Sequence, residues 1–318
     1  MSIRTRIAAS PRPSAADAAR SRIVPAPALV AEPGNRVIVR AWNTVLYEKF
    51  CRFRHLLVDG LTQHSDAALE RCHYPPGARV LDVGCGFGDS TTRIAELVGP
   101  AGEAVGVDCA DNFVQAARAL ARDTRVENAR FFAADAQSDD LRGPYDHVFA
   151  RFGTMFFEGP GAAMRNIRKA MRPGGTFTQI VWRRREDNPW LHEAELRVRA
   201  LLPVVPHEET DAVHCGPGPF SMAGADMMST MLRGAGFERI TFERYDRDIW
   251  IGRDLADAIE FAAALGPAGE IVRLAGEEGA KRMPEVMEAL RDALAPFARD
   301  DGVWAPSSTW FITATNPA

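Results

Sequence analysis

"RVLDVGCGFGDSTTRIAELVG", residues 79–99, decides how the rest of the chain is read. Val80, Leu81 and Val83 form a short apolar run of the kind that a parallel sheet buries on both faces. Gly84, Gly86 and Gly88 follow as G-x-G-x-G, which lets the backbone turn sharply and come close to a bound molecule. Ile94, Ala95, Leu97 and Val98 then supply the apolar stripe of a helix, which Gly99-Pro100 ends. A strand, a glycine turn and a helix make a ligand cradle.

Outward from this cradle, strands and helices alternate. "EAVGVD" precedes a helix over 111–122, "ARFFAAD" and "YDHVFARF" follow, then a helix over 161–172 and the strand "GTFTQIVW". That rhythm predicts a doubly wound α/β domain, a mostly parallel sheet covered by helices on both faces. Ahead of it, Val45, Leu46, Phe50, Phe53, Leu56, Leu57 and Leu61 recur at helical spacing, so residues 35–75 read as one or two N-terminal helices. Residues 183–222, with an Arg cluster, prolines and "CGPGPF", read as a loop or lid. "GADMMSTMLRGAGF" reads as a helix, "ERITFERY" as a strand and "SSTWFITATN" as a late strand. The domain is therefore expected over 76–245 and 306–316, interrupted by a helical insertion over 246–305. Residues 1–34, rich in Ala, Pro, Arg and Ser, read as a disordered tail, with an organelle-targeting segment as the alternative.

The 318 residues, 46% hydrophobic and 25% charged, fit an ordinary globular protein. A net charge of −4 offers no general attraction to nucleic acid, and no apolar run reaches the ~18 residues of a membrane span. Five scattered cysteines without a C-x-x-C pair point to reduced thiols in a cytoplasmic compartment and away from a metal site.

The glycine turn alone suits either a dinucleotide or another adenosine-bearing ligand. Asp108, about twenty residues beyond the last glycine, can accept both ribose hydroxyls of either class. Asp135 after the third strand and Asp82 at the end of the first separate the two. A pyrophosphate is repelled by a carboxylate beside the turn, whereas an ammonium group is attracted to it. Three acids around the turn suit a ligand with ribose, adenine and an ammonium group, which describes S-adenosylmethionine.

With "VLDVGCGFG", "VGVDCADNF", "FFAADAQ", "YDHVFARFGTMFF" and "AMRPGGTFTQIVW" in order over residues 79–182, the sequence resembles the class I S-adenosylmethionine-dependent methyltransferases. "AWN", "DNPW", "GPF" and "GF" extend the likeness, more loosely, to the small-molecule branch that includes quinone methyltransferases. The resemblance implies a seven-stranded sheet with an antiparallel last strand. It also implies that Asp82, Gly84, Cys85 and Gly86 line the methionine portion of the cofactor, and that Asp108 binds the ribose beside Cys109 and Phe113. Asp135 and Ala136 would meet the adenine, Arg151 and Phe152 would face the methionine end, and Trp42 would close over it.

The expected activity is methyl transfer to a small-molecule acceptor. The alternatives are a methyltransferase acting on protein or RNA and a non-catalytic cofactor-binding relative. "ARFGTMFF" lacks the D/N-P-P-Y pattern of nucleobase or amide-nitrogen acceptors. No His/Asp pair marks a general base. His55, His192 and His214 border the expected pocket, but a lone histidine is more often structural, and no catalytic residue is assigned. Arg183, Arg184 and Arg185 read as a solvated cluster paired with Glu186 and Asp187. Met155, Phe156 and Phe157 are candidate walls, and Trp190 and Trp250 are the aromatics expected to face an acceptor.

Overall fold

The computed structural model describes residues 36–202 and 218–318. The expectations for the tail over 1–34 and for His214 lie outside the described residues. Four short helices open the fold: α1 (Arg36–Trp42), α2 (Val45–Arg52), α3 (Arg54–Val58) and α4 (Thr62–Cys72). The apolar periodicity over this stretch suggested one or two helices. The chain instead turns at Asn43–Thr44, at Phe53 and at Asp59–Leu61, so that separate short faces wrap around the domain.

β1 (Arg79–Val83) leads through the glycine turn into α5 (Asp89–Val98). The alternation continues with β2 (Glu103–Asp108), α6 (Asp111–Asp123), β3 (Ala129–Ala133), β4 (Tyr145–Arg151), α7 (Pro160–Lys169) and β5 (Met171–Trp182). Strand side chains alternate between two cores. Leu81 and Val83 join Met164 and Ile167 of α7 on one face. Val80 joins Ala68 and Leu69 of α4, Ile94 and Val98 of α5, and Val114 and Ala117 of α6 on the other. This period of two, with helices over both faces, is the doubly wound arrangement expected from the sequence.

Beyond β5 the chain forms α8 (Pro189–Leu201), α9 (Ala225–Gly234), β6 (Glu238–Gly252), α10 (Leu255–Ala264), α11 (Gly266–Leu274), α12 (Gly276–Lys281), α13 (Met283–Leu294), the two-residue β7 (Ala298–Arg299) and β8 (Gly302–Thr315). The loop expected over 183–222 is corrected by α8. Its Trp190, Leu191, Ala194 and Val198 make one buried stripe, and Pro189 sits in the first turn, where its missing N–H costs nothing. The clustered Arg and Pro residues masked that stripe in the sequence.

The sheet order is β3-β2-β1-β4-β5-β8-β6, with β7 paired to β8. Strands β1 to β5 pair in parallel, and β8 runs antiparallel between β5 and β6. The β6–β8 ribbon is long: pairing continues from Glu238↔Thr315 to Gly252↔Val303. Its far end carries buried Ile249 and Ile251, against which the helices between Leu255 and Leu294 pack. Strand order reverses between β1 and β4, and ligands of open α/β sheets gather at such a point, beyond the carboxyl ends of the strands.

Candidate functional site

A cavity of about 1080 Å³ opens at this switch point. It is somewhat larger than the ~300–1,000 Å³ typical of small-molecule sites. Eleven of the twelve residues expected from the sequence line it: Trp42, Gly84, Cys85, Gly86, Asp108, Cys109, Phe113, Asp135, Ala136, Arg151 and Phe152. They come from α1, α6 and the ends of β1 to β4, brought together by the parallel register that sets Val83 opposite Val107.

The floor is the glycine turn. Gly84 and Cys85 donate their N–H groups to Val107 O at 2.8 and 3.1 Å, which pins the turn to β2. Gly84 (φ +71°) approaches Gly153 so closely that a Cβ on Gly84 would stand 2.9 Å from Gly153 Cα. Gly86 (φ +52°) differs: a Cβ there would meet no heavy atom within 4 Å. Its surroundings are open space above the turn, where a ligand can approach bare backbone.

Asp108 closes one side. Its Oδ2 accepts from Gly86 N–H and its Oδ1 from Ala110 N–H, both at 3.0 Å. Burial pushes its carboxyl up to about 6, against the lowering pull of these N–H donors. Asp135 Oδ1 accepts from Gln137 N–H at 3.0 Å, and Asp139 Oδ2 accepts the Asp135 N–H at 2.8 Å. Arg151 is held by Asp89 Oδ2 at 2.7 Å and reaches Ser65 Oγ at 3.3 Å. Burial drives the Cys85 and Cys109 thiols well above their usual range, so neither is a thiolate nucleophile.

Asp82 is placed elsewhere. It is 1% exposed and lies beneath the turn, not among the cavity-lining residues. Its Oδ2 accepts from Ser90 Oγ (2.7 Å) and Thr91 Oγ1 (2.6 Å), which ties β1 to the first turn of α5. Its Oδ1 is buried without a donor, and burial pushes the carboxyl up to about 6.

An aromatic cluster flanks the cradle. Phe113 meets Tyr47 and Phe87 at 5.0 Å and Phe50 at 5.8 Å, while Trp42 stands edge-on to Phe50 and Phe156 at 5.0 Å. Phe50 and Phe87 line the cavity and were missed in the sequence. The available signal was Phe87 inside the glycine turn itself. Phe152 adopts φ +57° and stacks on Trp182 at 4.5 Å. Such a conformation costs a non-glycine residue of order 1–3 kcal/mol. The turn it makes carries Gly153 against Gly84.

The cavity extends past the cradle toward α8 and the helices after β6. Met155, Phe156, Phe157, Trp190 and Trp250 all line it, as do Phe220, Ile249, Phe261 and Ile271. Among the described residues no histidine lines it. His55 is bound to Asp257 at 3.1 Å. His64 is bound to Ser307 Oγ at 3.1 Å, and burial, with Arg151 nearby, lowers it to about 4. Arg183 pairs with Asp187 at 3.3 Å, as expected, but lies largely buried over Trp310 and is not solvated. Arg184, Arg185 and Glu186 instead line the cavity, and Arg185 pairs with Glu195 of α8 at 2.7 Å.

Comparisons with known proteins place the chain among methyltransferases. Residues 75–202 match the methyltransferase-domain family. The chain is 29% identical over 254 residues to the nocamycin O-methyltransferase of Saccharothrix syringae, covering 76% of this chain and 83% of that protein. It is 28% identical over 176 residues to a ubiquinone/menaquinone biosynthesis C-methyltransferase of Ectopseudomonas mendocina, covering 52% and 68%. In fold it is similar to the solved structure of the YcgJ protein of Bacillus subtilis, with a TM-score of 0.52 at 16% identity, over 80% of this chain and 99% of that one.

Proposed function

Because the chain belongs to the class I S-adenosylmethionine-dependent methyltransferases, we propose that it methylates a small, largely apolar acceptor seated between the cofactor cradle and α8. The observation that carries this reading is the continuity of one cavity from Gly86 and Asp108 to Trp190 and Trp250. The residues of the cradle fit the cofactor. The space above Gly86 admits a ligand against bare backbone, and Asp108 presents a carboxylate to it. In this reading Asp108 accepts the ribose hydroxyls, Asp135 and Ala136 meet the adenine, and Phe113 packs beside both. Gly84, Cys85, Arg151 and Phe152 border the methionine end, with Trp42 above. Asp82 acts from below by bracing α5.

When bound, S-adenosylmethionine supplies a methyl group on a sulfonium, an electrophile that is already activated. The protein's task is then alignment and exclusion of water, and holding two reactants in attack geometry is worth several kcal/mol. Trp42, Phe156, Trp190 and Trp250 supply the apolar walls for that task. A screen of the full chain with methyl-labelled cofactor against a metabolite extract and neutral aromatic hydroxyl compounds tests the reading. Label is expected in an organic-extractable small molecule. Label appearing only in RNA or protein overturns it.

A pH dependence follows from Asp108. Its carboxyl titrates near 6, above the 3.8 of an unperturbed aspartate, because the charged form is desolvated. Only the carboxylate accepts hydrogens from two hydroxyls through both oxygens. Affinity for S-adenosylhomocysteine is therefore expected to be flat above about pH 7 and to fall as pH drops through about 6, approaching tenfold per unit. The sign for stability is the opposite. A raised folded-state value makes this group's contribution fullest below about 3.8 and lost as pH rises through about 6, so the ligand-free protein gives up stability where it binds best. Calorimetric titration from about pH 5 to 8 checks the first effect, and an affinity that stays level through pH 6 contradicts it.

A further inference from the structure

We propose that α8 is the acceptor-recognition element of this cavity, and that its ligand is a neutral ring compound carrying both a hydroxyl and a carbonyl group. This rests on the methyltransferase reading above and deepens it. Glu195 is 4% exposed and lines the cavity. Arg185 Nη1 and Arg199 Nη2 both donate to its Oε1, each at 2.7 Å. Oε2 is buried and receives no hydrogen bond. Trp190, one and a half turns earlier on α8, is 5% exposed, lines the same cavity, and has a buried Nε1–H with no acceptor.

A buried polar atom without a partner is uncommon and destabilising, and two on one helix, in residues that line one cavity, call for an explanation. Both guanidinium groups converge on the same carboxylate oxygen, so the second oxygen is left for a donor from elsewhere. A hydroxyl hydrogen is the donor that suits it. An ammonium group is a poorer fit, because Arg185 and Arg199 already place two positive charges beside the carboxylate. Trp190 Nε1–H can only donate, so its partner is an acceptor such as a carbonyl oxygen. Aromatic rings flank both groups: Trp190 stacks on Phe261 at an interplanar angle of 16°, and Arg185 is capped by Phe220. A flat ring system with one donor and one acceptor group matches this lining. Glu195 is a positioning residue here, holding the acceptor's hydroxyl group by a hydrogen bond.

The test uses 6-hydroxy-1-tetralone against 1-tetralone, which lacks the hydroxyl, and a tricyclic pair differing in the same way. Binding to the full chain is measured with S-adenosylhomocysteine present. For the wild type the hydroxyl is expected to raise affinity roughly tenfold or more, the range of a hydrogen bond to a charged group. Glu195→Gln is expected to erase most of that preference, and Trp190→Phe to weaken both members of a pair equally while keeping the preference. Affinity for S-adenosylhomocysteine should be unchanged in both variants. Equal binding of hydroxylated and unhydroxylated probes by the wild type, or no binding of either, overturns the proposal even if Glu195→Gln fails to fold. Loss of S-adenosylhomocysteine binding by the wild type would instead sink the methyltransferase reading beneath it.

Discussion

Asp108→Ala is expected to weaken cofactor binding by about 1.5–3 kcal/mol, roughly tenfold to 150-fold, the scale of hydrogen bonds to a charged group. The carboxylate lies at the C-terminal end of β2 and lines the cavity, with each oxygen already anchored by one backbone N–H. That anchoring holds its orientation, so a ligand meets an oriented acceptor and orders nothing further. Alanine removes the acceptor and leaves the N–H groups of Gly86 and Ala110 without their partner. A fall in Tm is therefore expected as well, on the order of 1 kcal/mol in stability. Asp108→Asn retains one oxygen and should lose less of both. Calorimetry with S-adenosylhomocysteine beside thermal melting separates the two effects. An Ala variant that binds as tightly as the wild type removes Asp108 from the site.

The second large effect is structural. Gly84→Ala is expected to destabilise the fold by about 3 kcal/mol, because two separate costs fall on one residue. At φ +71° an L-residue is strained by about 1–2 kcal/mol. Its Cβ would also stand 2.9 Å from Gly153 Cα, a backbone atom that no side-chain rotation can move away. Gly86→Ala bears only the first cost, since its Cβ meets open space. It should fold, melt slightly lower, and lose cofactor affinity far beyond its loss of stability, because the methyl group occupies the place of ligand approach. Denaturant unfolding and calorimetry on the two variants check the contrast. Equal loss of stability in both would show that the turn, and not the Gly84–Gly153 approach, sets the cost.

What could be read in the sequence was whatever depends on near neighbours in the chain. The short apolar strand at 80–83, the glycine turn and the helix at 89–98 each carry their own pattern, so the cradle and the doubly wound sheet were legible. The places of Asp108 and Asp135 on the cavity wall were legible for the same reason: one ends β2 and the other lies just beyond β3, strands whose place in a parallel sheet follows from the alternation. Reading failed where a residue's role depends on what crosses it in space. Asp82 occupies the expected end of β1, yet the hydroxyls of Ser90 and Thr91 turn its carboxylate beneath the loop, away from the cavity surface. Helix α8 was hidden because its buried stripe has meaning only against α11 and α13, far along the chain.

Local pattern therefore determined that this protein has a strand–glycine turn–helix cradle at the end of a parallel sheet. Only the tertiary structure decided what faces that cradle. The long β6–β8 ribbon carries the helices that follow β6 onto α8, and the left-handed turn at Phe152 brings Gly153 against Gly84. Tertiary packing also buried Glu195 beside two arginines with one oxygen left over. Burial and unmet hydrogen bonds are sums over all neighbours in space, and for these residues the deciding neighbours lie on other elements of the chain.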